Sequence, residues 1–342
     1  MIRLKDFVLP SVVVQSPMAN CTDLPFRLIA RRKGMKFAYL EMISANALVQ
    51  QSRKTHDLMK TLPEDRPLGA QLVGCDPDIM GKAARIIEEM GCYDLIDINL
   101  GCPVPKITGH GGGSALLKEP EKAREIFRSM IKNIKTLPLT VKMRLGFSDV
   151  SGKEASEIAK IAEAEGLDAI AVHGRTREQQ YSGCADYEAI SRVRDSVKIP
   201  VFGNGDVMGG EAAVRLKSIS GVDGVMIGRG ALGNPWIYRE VEYALEGKIL
   251  PARPTFEERK QTLLEHLALE EIHNPRTAHL QIRRVACWYF KEMPRAARFR
   301  DSINQTRTVD EARKAIQAFD PSISDNLGIN IPAESVNPAK GE

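Results

Sequence analysis

A cysteine held between a glycine and a proline, Gly101-Cys102-Pro103, is the side chain in this sequence best placed to react. The apolar run Leu95 to Ile98 delivers Asn99 and then that cysteine, at the point where the run stops. A structural cysteine is normally enclosed within an apolar face. Cys102 instead stands on a loop edge, with turn residues on both sides setting the backbone direction. Beyond it, the glycine run Gly109 to Gly113 reads as a lid that can move or admit a ligand closely. A single loop cysteine more often just fills a pocket, so its assignment depends on the residues it keeps company with.

That company recurs at regular places. Pro17, Met18 and Ala19, Glu41, Gln71, Asn99 with Cys102, Lys142 with Arg144, His173 with Arg175, Asn204-Gly205-Asp206 and Gly228-Arg229 all lie at or near the carboxyl ends of short apolar runs. The runs are Val12 to Met18, Phe37 to Ile43, Leu68 to Val73, Leu95 to Leu100, Leu139 to Leu145, Ala169 to His173, Pro200 to Gly203 and Gly224 to Ile227. Intervening stretches such as Asp78 to Met90 and Lys153 to Glu165 place apolar residues at i, i+3, i+4 and i+7, the helical spacing. Strand then helix, eight times, predicts an α/β fold of the parallel (β/α)8 TIM-barrel type, whose active sites gather at the carboxyl ends of the strands. The competing architecture is an open doubly wound sheet, because Gly228, Gly230 and Gly233 form a G-x-G-x-x-G after a strand. That fingerprint belongs to the first βα unit of such a sheet, whereas here it follows the eighth run. A backbone phosphate cup accounts better for the glycines.

The chain has 342 residues, 43% hydrophobic and 27% charged, which suits a barrel with an accessory domain and a sizeable core. A formal charge of +4 neither demands nor excludes a nucleic-acid partner. No apolar run approaches a membrane span and the start lacks a signal-peptide segment, so a cytoplasmic location is expected. The six cysteines include no C-x-x-C pair, and reduced thiols without a structural metal are expected. Oligomeric state leaves no sequence signal, and a monomer is the default.

The expected domains are a barrel over 1–243, a linker over 244–254 marked by Gly247, Pro251 and Pro254, a helical domain over 255–320, and an irregular end over 321–342. Thr255 and Glu258 form a capping box. Helices are predicted at about Phe256 to His273, Ala278 to Glu292 and Val309 to Phe319. Between Arg276 and Lys314 ten basic residues stand against four acidic ones, with Trp288, Tyr289 and Phe290 among them. Such a face can track a phosphate backbone; the plainer alternative is a solvated helix whose aromatics pack inward.

The chain resembles the tRNA-dihydrouridine synthases along nearly its whole length. The resemblance is carried by PMANCTDLPFR, DINLGCPVPK, VKMRLG, HGRTREQQYSG, FGNGDV, MIGRGALGNPW and the WYFKEMP of the tail. It implies bound FMN, NADPH as reductant, a helical tRNA-binding domain, and reduction of the uridine 5,6 double bond. It places flavin contacts at Pro17, Met18, Ala19, Gln71, Lys142, His173, Asn204, Gly205, Asp206, Gly228 and Arg229. It makes Cys102 the proton donor and Asn99 a contact to the target base, with Arg175, Arg283 and Arg284 as further substrate contacts. Two departures stand out. Arg283, Arg284 and Val285 occupy the places of an Arg-Lys-His run in many members, and Thr108 to His110 is less basic than in some.

The implied chemistry suits these residue types. The reduction needs a hydride at one ring carbon and a proton at the other, and a thiol with an ordinary pKa of about 8.5 still holds its proton near neutrality. Lys106 is near enough in sequence to lower that value and is expected to point away, towards RNA. Lys142 is expected to stabilise negative charge on the reduced flavin, and Arg229 to clamp its phosphate. Two rivals use the same motifs: a flavin reductase of a free pyrimidine or other small enone, and an RNA-binding barrel without redox chemistry.

Overall fold

The computed structural model of the chain describes residues 1–322, so the expected irregular end lies outside the described residues beyond Ser322. Eight strands form the barrel: β1 (Val13–Gln15), β2 (Ala38–Tyr39), β3 (Leu68–Val73), β4 (Leu95–Leu100), β5 (Leu139–Arg144), β6 (Ala169–His173), β7 (Val201–Asn204) and β8 (Gly224–Ile227). Their ladder pairings are all parallel and run β1-β8-β7-β6-β5-β4-β3-β2. Gln15 closes the ring: its backbone N–H donates to the Phe37 carbonyl at 3.1 Å, and its side-chain oxygen accepts from the Tyr39 N–H at 2.9 Å.

The principal helices after the strands are α1 (Leu24–Arg32), α2 (Ala45–Val49), α3 (Pro77–Met90), α4 (Pro120–Asn133), α5 (Lys153–Ala164), α6 (Tyr187–Asp195), α7 (Gly210–Ser220) and α8 (Ile237–Leu245). Several start as local chemistry dictates: Asp23, Asp76 and Asp186 each cap a helix by accepting from the backbone N–H of the third residue beyond them. α8 runs to Leu245, so the turn into the tail begins later than the expected Ala244.

The period-two alternation of a strand sorts side chains between two environments. Ile96, Ile98, Val141, Met143, Ile170 and Val172 belong to the apolar layer shared with the helices. Leu95, Ala169, Ala171 and Phe202, of the opposite parity, fill the barrel floor. A hairpin of two-residue strands, Arg3–Leu4 and Phe7–Val8, plugs that floor with Ile2, Leu4 and Leu9. No periodicity announced it, because two residues are too few to show one.

The tail contains α9 (Phe256–His273), α10 (Ala278–Tyr289), α11 (Ala296–Gln305) and α12 (Val309–Ala318). The capping box forms as expected, with the Thr255 N–H donating to the Glu258 carboxylate at 2.7 Å and the Glu258 N–H donating to Thr255 Oγ1 at 3.2 Å. α10 ends at Tyr289 rather than Glu292, and α11 was not expected at all. Tyr289 and Phe290 pack inward, with Phe290 4.9 Å from both Phe299 and Phe319, so the plainer reading holds for these two aromatics. Leu269 of α9 packs on Leu24, Leu28 and Ile29 of α1, joining tail to barrel.

Candidate active site

At the carboxyl ends of the strands the inward positions turn polar. Leu95 is followed on the same parity by Asp97 and Asn99, Thr140 by Lys142 and Arg144, Ala171 by His173, and Phe202 by Asn204. Strand register then brings them side by side: Gln71 opposite Asp97, Asp97 opposite Thr140, Asn99 opposite Lys142, Arg144 opposite His173, and His173 opposite Asn204. Above this layer opens a cavity of about 680 Å³. All eleven residues expected to touch the cofactor line it, together with Asn99 and Cys102. Cys21, Met42, Arg144, Tyr181 and Met208 also line it, and none of these had been assigned a role.

The cysteine loop is held by hydrogen bonds from below. Asn99 Oδ1 accepts from the backbone N–H groups of Gly101 and Cys102 at 3.0 and 2.8 Å. Asn99 Nδ2 donates to Gln71 Oε1 at 2.8 Å, and Gln71 Nε2 donates to Asp97 Oδ2 at 2.7 Å. The glycine run that looked like a lid is a buttress instead. Ser114, just past it, donates to the Cys102 carbonyl from both its N–H (3.1 Å) and its hydroxyl (2.9 Å). Gly113, at φ +58°, passes so close that a Cβ there would lie 2.8 Å from the Cys102 oxygen.

Burial favours the protonated thiol. Burial pushes the Cys102 pKa up, against the opposing pull of the Val104 N–H and the Arg144 and Lys142 charges. Lys106 is exposed and is not among the charges acting on the thiol. Burial, reinforced by Arg144, brings Lys142 down to about 8. Burial, with Lys142, Arg144 and Arg175 nearby, takes His173 well below its ordinary value, so its ring is neutral at physiological pH. Asp97 is pushed up to about 6 by burial, opposed by its bonds to Gln71 and Thr140.

Arg175 corrects an expectation. It was expected to contact substrate, but its side chain is 2% exposed and is not part of the cavity lining. Its guanidinium donates to both oxygens of Asp206, at 2.9 and 2.7 Å, and to the carbonyls of Ser182 and Gly183. Asp206, at φ +53°, also accepts from the Ala185 N–H at 2.7 Å and sits 3.4 Å from Arg229. Arg175 is thus an internal strut that neutralises the carboxylate beside the glycine cup. Arg229 lies 4.4 Å from the centroid of the exposed Tyr181 ring at the rim.

Glu41 and Arg144, both at the ends of apolar runs, do not pair with each other. Glu41 accepts from the Asn20 N–H at 2.9 Å, while Arg144 donates to the carbonyls of Gly101, Thr176 and Gln180 and so clamps the cysteine loop. Arg283 and Arg284 are not among the cavity-lining residues. Arg284 lies over the Trp288 ring at 5.4 Å, and its charge reaches Cys21, Asp23 and Glu41 across the seam between tail and barrel.

Comparison with known proteins follows this geometry. The family described as dihydrouridine synthase (Dus) matches residues 14–324. The chain is 37% identical over 320 residues to the tRNA-dihydrouridine synthase B of Pseudomonas aeruginosa, covering 93% of this chain and 95% of that one. It is 36% identical over 325 residues to the probable tRNA-dihydrouridine synthase of Rickettsia conorii, covering 94% of this chain and 97% of that one. Among solved structures, histamine dehydrogenase from Rhizobium sp. 4-9 superposes with a TM-score of 0.55 at 14% identity, over 78% of this chain and 50% of that one, a likeness of fold.

Proposed function

The chain belongs to the dihydrouridine synthase family, and from that premise we propose that it reduces the 5,6 double bond of uridines in tRNA, with FMN as resident cofactor and NADPH as reductant. The observation that carries the reading is one chamber holding a protonated thiol on one wall and a cationic, glycine-bordered cup on another.

The residues present fit a flavin. A cavity of about 680 Å³ is within the range that holds cofactors. A Cβ added to Gly228 would sit in ordinary van der Waals contact with Met18 Sδ at 3.7 Å, Ser16 Cβ at 3.9 Å and Asn204 Nδ2 at 4.0 Å, and Gly228 itself borders the cavity, so the bare backbone leaves that space to a ligand. Bound in that space, the flavin supplies the hydride. Arg229 and the Gly228 backbone are proposed to hold its phosphate, and Asn204 and Gly205 its ribityl chain, while Lys142 and the neutral His173 present N–H donors to its ring.

Cys102 is proposed to give its proton to the second ring carbon of uracil and to recover one from solvent afterwards. Its upward-shifted pKa favours the protonated form needed at the start of each turnover. Asn99 has its carbonyl oxygen committed to the cysteine loop, so only a remaining amide N–H is available to the base. The tail, with Arg283 and Arg284, is proposed to bind the body of the tRNA.

The test incubates the purified protein with tRNA from cells lacking it, with FMN and NADPH, and maps dihydrouridine by position. Wild-type protein should form it. Cys102→Ala should keep flavin and oxidise NADPH with oxygen at the parental rate, yet lose uridine reduction by roughly 100-fold or more. Undiminished reduction by the variant would remove the thiol from the mechanism, and no dihydrouridine from wild type would overturn the function.

A further inference from the structure

We propose that Asp97 is a positioning residue: its carboxylate fixes which way the Gln71 and Asn99 amides face, and through them holds the backbone of Cys102 at the chamber wall. The inference rests on the reading of Cys102 as the proton donor.

Asp97 is only 1% exposed and does not line the cavity, so it touches neither substrate nor cofactor space. One of its oxygens accepts from Thr140 Oγ1 at 2.6 Å and the other from Gln71 Nε2 at 2.7 Å. An ionised carboxylate can only accept, whereas an amide has a donor end and an acceptor end. With its nitrogen committed to Asp97, Gln71 must turn its oxygen to Asn99, where it accepts from Nδ2 at 2.8 Å. Asn99 in turn has only its oxygen left for the loop, and that oxygen receives the N–H groups of Gly101 and Cys102.

The alternative orientation fails at each link. Turning Gln71 over would set its oxygen against a carboxylate oxygen and its nitrogen against the nitrogen of Asn99. Turning Asn99 as well would relieve the second clash but would leave two backbone donors at the cysteine facing an amide nitrogen. A buried donor without an acceptor is disfavoured. The direction of the chain is therefore set at Asp97 and read out at Cys102. A neutral amide in place of Asp97 can still hold this order, because its oxygen accepts from Gln71 Nε2 while its nitrogen donates to Thr140 Oγ1, whose own proton can turn to the Ile96 carbonyl 3.5 Å away; an apolar side chain cannot.

The test removes the acceptor and, separately, conserves it. Asp97→Leu leaves Gln71 Nε2 with no acceptor and frees both amides to turn. Asp97→Asn keeps an acceptor for Gln71 and so keeps the order. The readout is the iodoacetamide alkylation rate of Cys102 in the flavin-loaded full-length protein, followed against pH by peptide mass spectrometry. Cys92 and Cys287, which are partly buried elsewhere, serve as internal controls.

Freeing the loop lets the thiol escape the burial that raises its pKa, so Asp97→Leu should accelerate Cys102 alkylation near neutral pH by roughly tenfold with the controls unchanged. Asp97→Asn should keep the parental rate. An unchanged Cys102 rate in the Leu variant, equal acceleration of all the cysteines, or an Asn variant as fast as the Leu variant would overturn the proposal. Should the Leu variant not fold, the Asn variant decides alone: a parental rate supports the proposal, and an accelerated rate or failure to fold overturns it. Wild-type protein that makes no dihydrouridine would refute the function alone, because the alkylation comparison requires no RNA.

Discussion

Replacing Glu270 with Gln should make the protein more stable above neutral pH and change little in acid. Glu270 of α9 is buried at the seam against Asp23, the cap of α1, and against His266 on its own helix; ligand-capable atoms of the three lie within 4.8 Å of one another. Asn274 Nδ2 bridges the two carboxylates, 2.7 Å from Glu270 and 3.3 Å from Asp23. His266 cannot offset their charge, since burial takes it down to about 3. Burial and then the Asp23 charge push Glu270 from 4.5 up to about 8, and burial raises Asp23 too. A carboxyl raised in the folded state contributes stability that is present in full below about pH 4.5 and lost progressively as pH rises through about 8. At about 1.4 kcal/mol per pH unit the loss is on the order of 5 kcal/mol, shared between the coupled carboxyls. Gln cannot ionise and escapes it. Urea unfolding of both proteins at about pH 5 and about pH 9 measures the difference: the advantage of the Gln variant should grow by roughly 3 kcal/mol or more between the two. An advantage that is the same at both pH values would show that Glu270 does not bind its proton more tightly in the folded protein.

Two more substitutions probe the site. Arg175→Met leaves the Asp206 carboxylate beside the cup without its buried partner; because Asp206 is itself 31% exposed, the cost should be about 2 kcal/mol, below the full buried-pair penalty. Flavin affinity, followed by fluorescence quenching, should fall at least roughly tenfold, and unchanged affinity together with an unchanged unfolding midpoint would deny Arg175 its role as a strut. Gly113→Ala places a Cβ 2.8 Å from the Cys102 oxygen at a backbone angle that costs an L-residue about 1–2 kcal/mol, so uridine reduction should drop while flavin stays bound. Dihydrouridine formed at the parental rate would show that the buttress does not matter.

What the sequence disclosed and what it withheld divide along one physical line. Periodicity reports how a residue faces its own element, and so the eight strands and most of the helices could be read directly. α11 escaped because its buried face consists only of Phe299 and Ile303, a single i, i+4 pair too short to stand out from the arginines around it. Pairing is a different matter, because it depends on register between segments distant in the chain. Arg175 and Asp206 were both recognised as polar residues at the mouth. Only the ladder that sets His173 opposite Asn204 brings them together, and their partnership turns an expected substrate contact into an internal support. Asp97 shows the reverse. Lying between Ile96 and Ile98, it reads as one polar interruption of a core strand, and nothing local separates it from a tolerated defect. Its consequence appears only when Gln71 on one side and Thr140 on the other are brought level with it, because an acceptor gains directional meaning from the donors it faces. The same holds for Arg144, which would have been a poor choice for a clamp on the cysteine loop until the fold put the Gly101 carbonyl within 2.9 Å of its guanidinium. Residue type therefore identified which positions carry chemistry, while the assignment of each to ligand or to scaffold required knowing what lies across the strand.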